Sequence, residues 1–319
     1  MRLLTTLLLL CLFTLPVLAQ PDSPPQREVA ITIDDLPINS RNFRDNANHL
    51  AMTQYLVSHL VAYEVPAVGF VNEGKLYVDG TLDTVRVAML RHWLDAGLDL
   101  GNHSFSHHDL HNTPLDTFQA DILEGEMVTK QLLHDYGLAM RYFRHPYLHT
   151  GTDLDTKHAL EGFLGEHDYR VAPVTIDNAE WIFALAYDTA AAQADSLAMQ
   201  EIADAYVAYM DAKFAYFEQQ SVALFGREIR QTLLIHANLL NANHFDTLAE
   251  MMLARGYTFI TLERALEDEA YASPDTYTGR GGLTWLHRWA ITRKVESSFF
   301  QGEPSTPAFI LEAAGMESE

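Results

Sequence analysis

Short apolar segments rich in β-branched residues alternate with amphipathic helical segments, and this alternation most constrains the fold. Strands that alternate with helices form parallel sheets, because each parallel crossover needs a dozen or more residues. The pattern therefore predicts an α/β fold with a parallel sheet, closed or open. The number of units favours a (β/α) barrel. The strand candidates are residues 29–33, 67–71, 98–101, 141–143, 170–176, 231–235 and 257–260.

Two segments do not follow this alternation. Residues 188–219 are Ala-rich with helical spacing, which predicts one long helix or a helical hairpin inserted between two strands. Residues 269–319 read as an irregular C-terminal extension packed on the barrel. In that extension Trp285 and Trp289 share a helix face, typical of packing onto the barrel, with sugar stacking as the alternative. Residues 115–136 are predicted to form a single long helix before Gly137.

The N-terminus has the pattern of a signal peptide over residues 1–19. Arg2 precedes an apolar run at 7–13, and Val17-Leu18-Ala19 resembles a cleavage site. That run is too short to span a bilayer comfortably. We therefore expect an exported protein, periplasmic or secreted, whose fold begins at residue 28 after a Pro-rich linker at 20–27.

Composition excludes several classes of function. Cys11 is the only cysteine and lies in the predicted signal peptide, so the mature chain can form no disulfide. Any metal site must then use His and carboxylate ligands. The net charge of −22 disfavours general binding to nucleic acid or to an anionic membrane. No protein partner is indicated.

Reactive side chains follow several strand candidates, where the active groups of parallel barrels lie. Asp34-Asp35 directly follows the first strand. Because adjacent strand residues point to opposite faces, the two carboxylates are expected to take different roles. An Asp-Asp pair is by itself equally typical of a solvated turn or a helix cap.

Histidines at positions 103 and 107 follow the third strand candidate. At this spacing they would share a helical face and reach one metal ion. A His-rich polar segment is otherwise an ordinary surface feature. Asp35, at another strand end, is the natural third ligand. Two imidazoles and one carboxylate leave a coordination position open for water.

Three further strand ends carry weaker signals. Arg144-His145-Pro146-Tyr147 is an ordinary turn sequence, Asp177 to Trp181 fits a helix cap with a buried Trp, and His236 fits a histidine at the rim of the core. Together with the first two motifs, however, their order resembles the five-motif signature of the polysaccharide deacetylases. This is carbohydrate esterase family 4, also called the nodulation-type deacetylase domain, and the resemblance spans residues 28–268. It implies a distorted (β/α) barrel that removes acetyl groups from sugars with Zn²⁺, or with Co²⁺ or a similar divalent ion.

The resemblance implies a role for each residue on the metal side of the site. Asp35, His103 and His107 are implied as the metal ligands. Asp34 is implied as the general base, and Arg144 as the residue that orients it.

On the opposite side, the N–H of Tyr147, which follows Pro146, is implied as an oxyanion donor. His236 is implied as the general acid, and Asp177 as a charge that tunes the surroundings of Arg144 and His236. Trp181 and Leu234 are implied to line the acetyl pocket, and Pro146 is expected to belong to the substrate pocket with them.

Departures from the family pattern leave the substrate open. Leu36-Pro37 follows the paired aspartates and Leu148 follows Tyr147, where the family commonly has Gly, and Glu180 stands where Asp is more usual. The expected activity is deacetylation of an N-acetylated glycan, a chitin-type oligosaccharide or peptidoglycan. An O-acetyl esterase acting on a polysaccharide such as xylan and a deacylase of a non-sugar amide are alternatives. A non-catalytic binding protein is disfavoured because every expected ligand, base and acid is present.

Overall fold

The computed structural model describes residues 27–319. The predicted signal peptide at 1–19, with Cys11, and residues 20–26 of the predicted linker lie outside this range. Arg27, expected to close the linker, is instead the first residue of a strand. The strands are β1 (Arg27–Leu36), β2 (Val68–Val71), β3 (Tyr77–Val78), β4 (Thr81–Leu82), β5 (Asp99–Asn102), β6 (Tyr142–Phe143), β7 (Arg170–Val171), β8 (Gln231–His236) and β9 (Tyr257–Phe259).

The α-helices connect these strands and cover the sheet. They are α1 (Asn46–Ala62), α2 (Thr84–Asp95), α3 (Leu115–Glu124), α4 (Met127–Asp135), α5 (Leu154–Glu166), α6 (Glu180–Ala192), α7 (Ser196–Phe225), α8 (Leu239–Ala254), α9 (Leu262–Ala265), α10 (Trp285–Thr292) and α11 (Ala308–Ala314). None of the helices between residues 27 and 319 combines the length and apolar character needed to cross a bilayer.

Seven strands form one parallel sheet in the order β7-β6-β5-β2-β1-β8, with β9 paired to the first residues of β1. After β7 the chain continues to Ile176, which forms a parallel bridge with Leu233 of β8. This bridge brings the two ends of the strand order together. The architecture is therefore the distorted (β/α) barrel that the sequence predicted. The short antiparallel hairpin of β3 and β4 was not predicted.

The single helix predicted over residues 115–136 is wrong. The segment forms two helices, α3 and α4, which are separated at Gly125. A Cβ at Gly125 would overlap the backbone of Ser104. The break thus allows this segment to approach the His103–His107 loop more closely than a side chain would permit.

The helical insertion is a hairpin that is wider than predicted. It begins with α6 at Glu180 and ends with α7 at Phe225, rather than covering only 188–219. The early start matters because it brings Glu180 and Trp181 to the first turn of a helix directly after Asp177.

The C-terminal extension is less irregular than expected, since it contains α10 and α11. Trp285 and Trp289 of α10 are 7% and 1% exposed, which supports packing rather than sugar stacking. The backbone N–H of Trp285 donates to the Val174 carbonyl at 2.7 Å. This hydrogen bond attaches the extension to the segment that closes the barrel. No observation tests the proposed boundary at residue 268, which stays a prediction.

Candidate functional site

A cavity of about 560 Å³ lies at the carboxyl ends of the strands. Most of the sequence-predicted site residues line it. They are Asp34, Asp35, His103, His107, Tyr147, Asp177, Trp181, Leu234 and His236. Arg144 and Pro146, the other two, are buried and are not among the lining residues.

The two carboxylates at the end of β1 do not point to opposite faces as expected. The pairing of β1 with β2 shifts register between Ile33 and Leu36, and Asp35 has φ = 71°. This irregularity turns Asp35 back to the side on which Asp34 lies. Both carboxylates therefore face the same cavity, and backbone strain at Asp35 accompanies their convergence.

The prediction that His103 and His107 share a helical face is also wrong. The segment that carries them has no regular secondary structure, and Ser104 and His107 have φ values of 63° and 55°. The His107 N–H donates to Ser104 Oγ at 3.1 Å, which closes the turn. The imidazoles nevertheless meet, with ring centroids 4.8 Å apart.

Asp35, His103 and His107 form a donor set that fits a divalent metal ion. One ligand atom from each lies within 4.8 Å of the others, and His107 Nε2 is 3.8 Å from Asp35 Oδ1. Tetrahedral zinc with ligands at about 2.0–2.1 Å needs donors about 3.4 Å apart, so small side-chain adjustments suffice. His103 Nδ1 lies 2.8 Å from the Arg144 carbonyl. Nδ1 therefore carries the proton, and Nε2 is the free donor atom.

The protonation states also suit a cation. Burial lowers the pKa of His103 to about 4, and burial with the neighbouring His103 does the same for His107. Burial opposes ionisation of Asp35, but Lys75 followed by His107 outweighs it and lowers the carboxyl pKa. At neutral pH the site thus offers two neutral imidazoles and one carboxylate.

Two contacts of Asp35 were not predicted from the sequence. Lys75 Nζ lies 3.3 Å from Asp35 Oδ1, and Asn39 Nδ2 donates to Asp35 Oδ2 at 3.0 Å. Lys75 lies in a short 3-10 helix (Glu73–Leu76) and Asn39 in a loop, and nothing in the local sequence signals their approach.

Asp34 and Arg144 form a buried pair behind the donor set. Arg144 Nη1 is 3.5 Å from Asp34 Oδ2, and Arg144 Nη2 donates to Thr32 Oγ1 at 2.7 Å. The guanidinium also lies 4.7 Å from the Phe70 ring centroid. Burial raises the pKa of Asp34, and the charge of Arg144 opposes that rise. Asp34 Oδ1 is buried without a hydrogen-bond partner among the described residues, which leaves it available to a water or substrate proton.

The partner of His236 is Glu180, the residue that departs from the family pattern. Glu180 is fully buried, and its Oε2 lies 2.8 Å from His236 Nδ1. Asn241 Nδ2 donates to the other carboxylate oxygen at 2.7 Å, and Asn238 also donates to it. Burial alone would lower the pKa of His236, but the hydrogen bond and charge of Glu180 raise it to about 9.

Asp177 lines the cavity but makes no direct contact with His236. Its carboxylate accepts a hydrogen bond from the Asn178 N–H at 2.9 Å, and burial raises its pKa to about 6. Its tuning role stays a prediction. Sequence reasoning did not predict Glu180 as the carboxylate partner of His236.

Tyr147 occupies a strained turn at the cavity edge. Tyr147 and Leu148 have φ values of 57° and 55°, although neither is Gly. Within the described residues the Tyr147 N–H makes no hydrogen bond. Its ring packs edge-on against His107, with centroids 4.7 Å apart. A free backbone donor beside a metal-type donor set is suited to stabilising an oxyanion.

A second His-Asp group lies near the rim and fits a metal poorly. Asp109, His111 and His149 also have ligand atoms within 4.8 Å of one another. The two imidazoles, however, are stacked with centroids 3.8 Å apart and an angle of 5° between their planes. An ion would have to lie in both ring planes to bind both nitrogens well, and parallel planes at this separation do not allow that.

The fold is similar to that of solved proteins of carbohydrate esterase family 4. The family model described as polysaccharide deacetylase matches residues 22–162. Over these residues, which make up less than half of the chain, the sequence is similar to the polysaccharide deacetylases. The match includes Asp34, Asp35, His103, His107 and the Arg144–Tyr147 motif. Trp181 and His236 lie beyond it.

Solved structures support the fold at low sequence identity. One is a mutant of a family 4 pseudoenzyme with restored enzymatic activity, whose wild-type form comes from Bacillus anthracis. It is 15% identical, has a TM-score of 0.50 and aligns over 76% of this chain and 69% of its own. A Bacillus cereus polysaccharide deacetylase, also 15% identical with a TM-score of 0.50, aligns over 74% and 91%. No curated protein matches the chain.

Proposed function

We propose that this protein is a metal-dependent hydrolase that removes acetyl groups from an N-acetylated glycan, either a chitin-type oligosaccharide or peptidoglycan. The observation that carries the proposal is that three groups of side chains come together at one cavity. These are the Asp35-His103-His107 donor set, the Asp34–Arg144 pair and the His236–Glu180 pair.

Asp35, His103 and His107 would hold the divalent ion, which we expect to be Zn²⁺, with Co²⁺ as the alternative. When bound, such an ion lowers the pKa of a water to about 7 and polarises a carbonyl oxygen. Asp34 would accept the proton that this water loses. Arg144 Nη1 lies 3.5 Å from Asp34 Oδ2, and its charge would favour the ionised carboxylate that a base requires.

Tyr147 and His236 would act on the substrate itself. The Tyr147 N–H would donate to the acetyl oxygen as negative charge develops there, an interaction worth about 3–4 kcal/mol when the donor is preorganised. His236, kept protonated by Glu180, would give its proton to the departing nitrogen. An amine leaves only after it is protonated, so a strongly held acid favours N-acetyl over O-acetyl substrates. Trp181, 44% exposed at the cavity wall, offers a face for a sugar ring.

The test is acetate release from a panel of acetylated sugars, with chitin oligomers, peptidoglycan fragments and acetylated xylan compared. We expect release from the N-acetylated members to stop with a chelator and to return with Zn²⁺ or Co²⁺. Asp34→Asn, loaded with metal, is expected to lose most turnover because its amide cannot accept the proton. Release from xylan alone would favour the O-acetyl esterase. No release from any member by metal-loaded protein would contradict the proposal.

We also propose that the protein is exported, on the basis of the signal-peptide pattern at residues 1–19. The measurement is fractionation of cells that express the full chain. Accumulation of uncleaved protein in the cytosol would contradict export.

A further inference from the structure

The C-terminal extension contacts the strained turn that carries Tyr147. This turn and the residues after it, 146–151, are called the 146–151 loop here. We infer that Gly282 and Arg288 of the extension are positioning residues that hold the 146–151 loop so that the Tyr147 N–H faces the cavity. This role presupposes the deacetylation proposed above and extends the working site beyond the five motifs.

Gly282 packs directly on the backbone of the loop. A Cβ at this position would overlap the carbonyl oxygen of Tyr147 and would lie 3.3 Å from Leu148 Cβ. Gly282 also lines the cavity. The carbonyl and the N–H of Tyr147 lie in the two peptide planes that meet at its Cα. A displaced carbonyl would therefore disturb the φ and ψ angles that orient the N–H.

Arg288 holds the loop from its buried side. It is fully buried on α10, and its Nη1 donates to the Leu148 carbonyl at 3.2 Å. Its Nη2 donates to the Thr150 hydroxyl. The guanidinium also lies 4.4 Å from the Trp285 ring centroid, so its position is fixed on both sides.

The charge of Arg288 is compensated within the extension. Its Nε lies 2.9 Å from Asp275 Oδ2, and Lys157 Nζ of α5 lies 2.6 Å from the same oxygen. Lys157 is only 2% exposed. The ion pair between Lys157 and Asp275 therefore links the extension to α5, the helix that follows the 146–151 loop. The extension thus contacts both the loop and the helix after it.

The loop needs such support because its backbone is unfavourable on its own. Left-handed residues other than Gly persist only where their surroundings impose the conformation, and Tyr147 and Leu148 are consecutive examples. The amide between Pro146 and Tyr147 can be presented to a substrate only while this turn is kept. Misplacement of a catalytic group by 1 Å can cost about 100-fold in rate.

The first experiment compares Gly282→Ala with Gly281→Ala by steady-state kinetics on the substrate found in the panel. We expect Gly282→Ala to lower kcat about 10- to 100-fold with little change in KM, since a displaced donor weakens transition-state stabilisation more than binding. Metal content should stay at the wild-type level. Gly281→Ala is the matched control, because a Cβ there has no neighbour closer than 3.7 Å. Wild-type kcat in Gly282→Ala would overturn the inference.

The second experiment follows hydrogen–deuterium exchange in peptides that cover residues 146–151. We expect faster exchange of the Leu148 and His149 amides in Arg288→Met, because the turn loses its anchor. Arg293→Met is the control, since Arg293 of the same extension contacts Leu224 and Ser273 instead. If Arg288→Met does not fold, Thr150→Val removes one of the two loop contacts alone. Unchanged exchange in the variant that folds would overturn the inference.

The two experiments distinguish this inference from the proposed function. If the wild type releases no acetate, the proposed function fails, and the exchange experiment still decides whether the extension holds the loop. If the wild type is active while Gly282→Ala and Arg288→Met both match it in kcat and exchange, the positioning role alone fails.

Discussion

Glu180 sets the protonation of His236. His236 is buried, and burial alone would favour the neutral ring, yet the Glu180 carboxylate raises its pKa to about 9. A general acid must be protonated, so activity is retained below this pKa and lost as the pH rises through it. Glu180→Gln removes the charge and leaves the burial. We expect the alkaline limb of kcat/KM to move to lower pH by at least about one unit.

Glu180→Asp is the matched control for this change, since it keeps the carboxylate and restores the residue more usual in the family. It should keep the alkaline limb near the wild-type position, with a lower rate if the shorter side chain reaches His236 less well. An alkaline limb that is the same in wild type and Glu180→Gln would exclude His236 as the titrating acid.

The two His-Asp groups give a direct test of the donor set. His103→Ala removes one of the three donors of the Asp35-His103-His107 set, so we expect loss of stoichiometric zinc in elemental analysis of dialysed protein. His111→Ala, in the second group with its stacked rings, should keep the zinc content of the wild type. Unchanged zinc in His103→Ala, or loss in His111→Ala, would show that the ligands were misassigned.

The sequence predicted which residue types form the site, but not the directions in which their side chains point. The order of Asp34-Asp35, His103 and His107 indicated a metal site because imidazoles and carboxylates at strand ends suit a cation. The helical face and the opposite strand faces were wrong, because positive φ values at Asp35 and His107 redirect the chain. Those conformations are imposed by neighbours distant in sequence and leave no local signature in non-Gly residues.

At the scale of elements, the α6–α7 hairpin holds the loop that follows β1. Asp188 of α6 is buried, and its carboxylate accepts from Ser40 Oγ and the Asn42 N–H, both at 2.8 Å. It also accepts from the Arg41 N–H at 3.2 Å. Asn39, one residue before this loop segment, donates to Asp35. The insertion therefore supports the side of the cavity that carries the metal-type donors.

Asp188→Ala should destabilise the fold by about 1.5–3 kcal/mol, because the variant leaves three donors without their charged acceptor. The measurement is the free energy of unfolding in a denaturant titration. Thr189→Ala is the control on the same helix, since Thr189 Oγ1 donates to the Leu185 carbonyl within α6. It should change stability by no more than about 0.5 kcal/mol. Equal stability of the two variants would mean that the hairpin does not hold this loop.

Element types followed from periodicity, whereas element ends depended on tertiary contacts. The apolar run before Asp34 became β1, and the Ala-rich segment became part of a helical hairpin. The break at Gly125 and the early start of α6 at Glu180 were not predicted. In both cases the deciding contact is with a residue distant in sequence. Gly125 packs against Ser104, and Glu180 contacts His236.

For the whole molecule, the alternation of strands and helices predicted a parallel sheet but left its closure open. Closure depends on residues more than fifty positions apart. The Thr232 N–H donates to Thr175 Oγ1 at 2.7 Å, and Thr232 Oγ1 donates to the Pro173 carbonyl at 2.8 Å. The adjacent Ile176–Leu233 bridge completes the cylinder. The same seam orients Asp177 and His236, which follow it directly, so closure and the acid side of the site are coupled.

This coupling predicts that a change in the seam lowers the stability of the whole barrel. Thr232→Val keeps the shape of the buried side chain but removes its hydroxyl and leaves the Pro173 carbonyl without its donor. We expect a loss of about 1–3 kcal/mol in the free energy of unfolding, measured by denaturant titration. Thr258→Val, on the exposed side of β9, is the matched control and should stay within about 0.5 kcal/mol of wild type. If Thr232→Val is as stable as this control, the hydroxyl network does not hold the cylinder closed, and closure must rest on the backbone bridge and the apolar core.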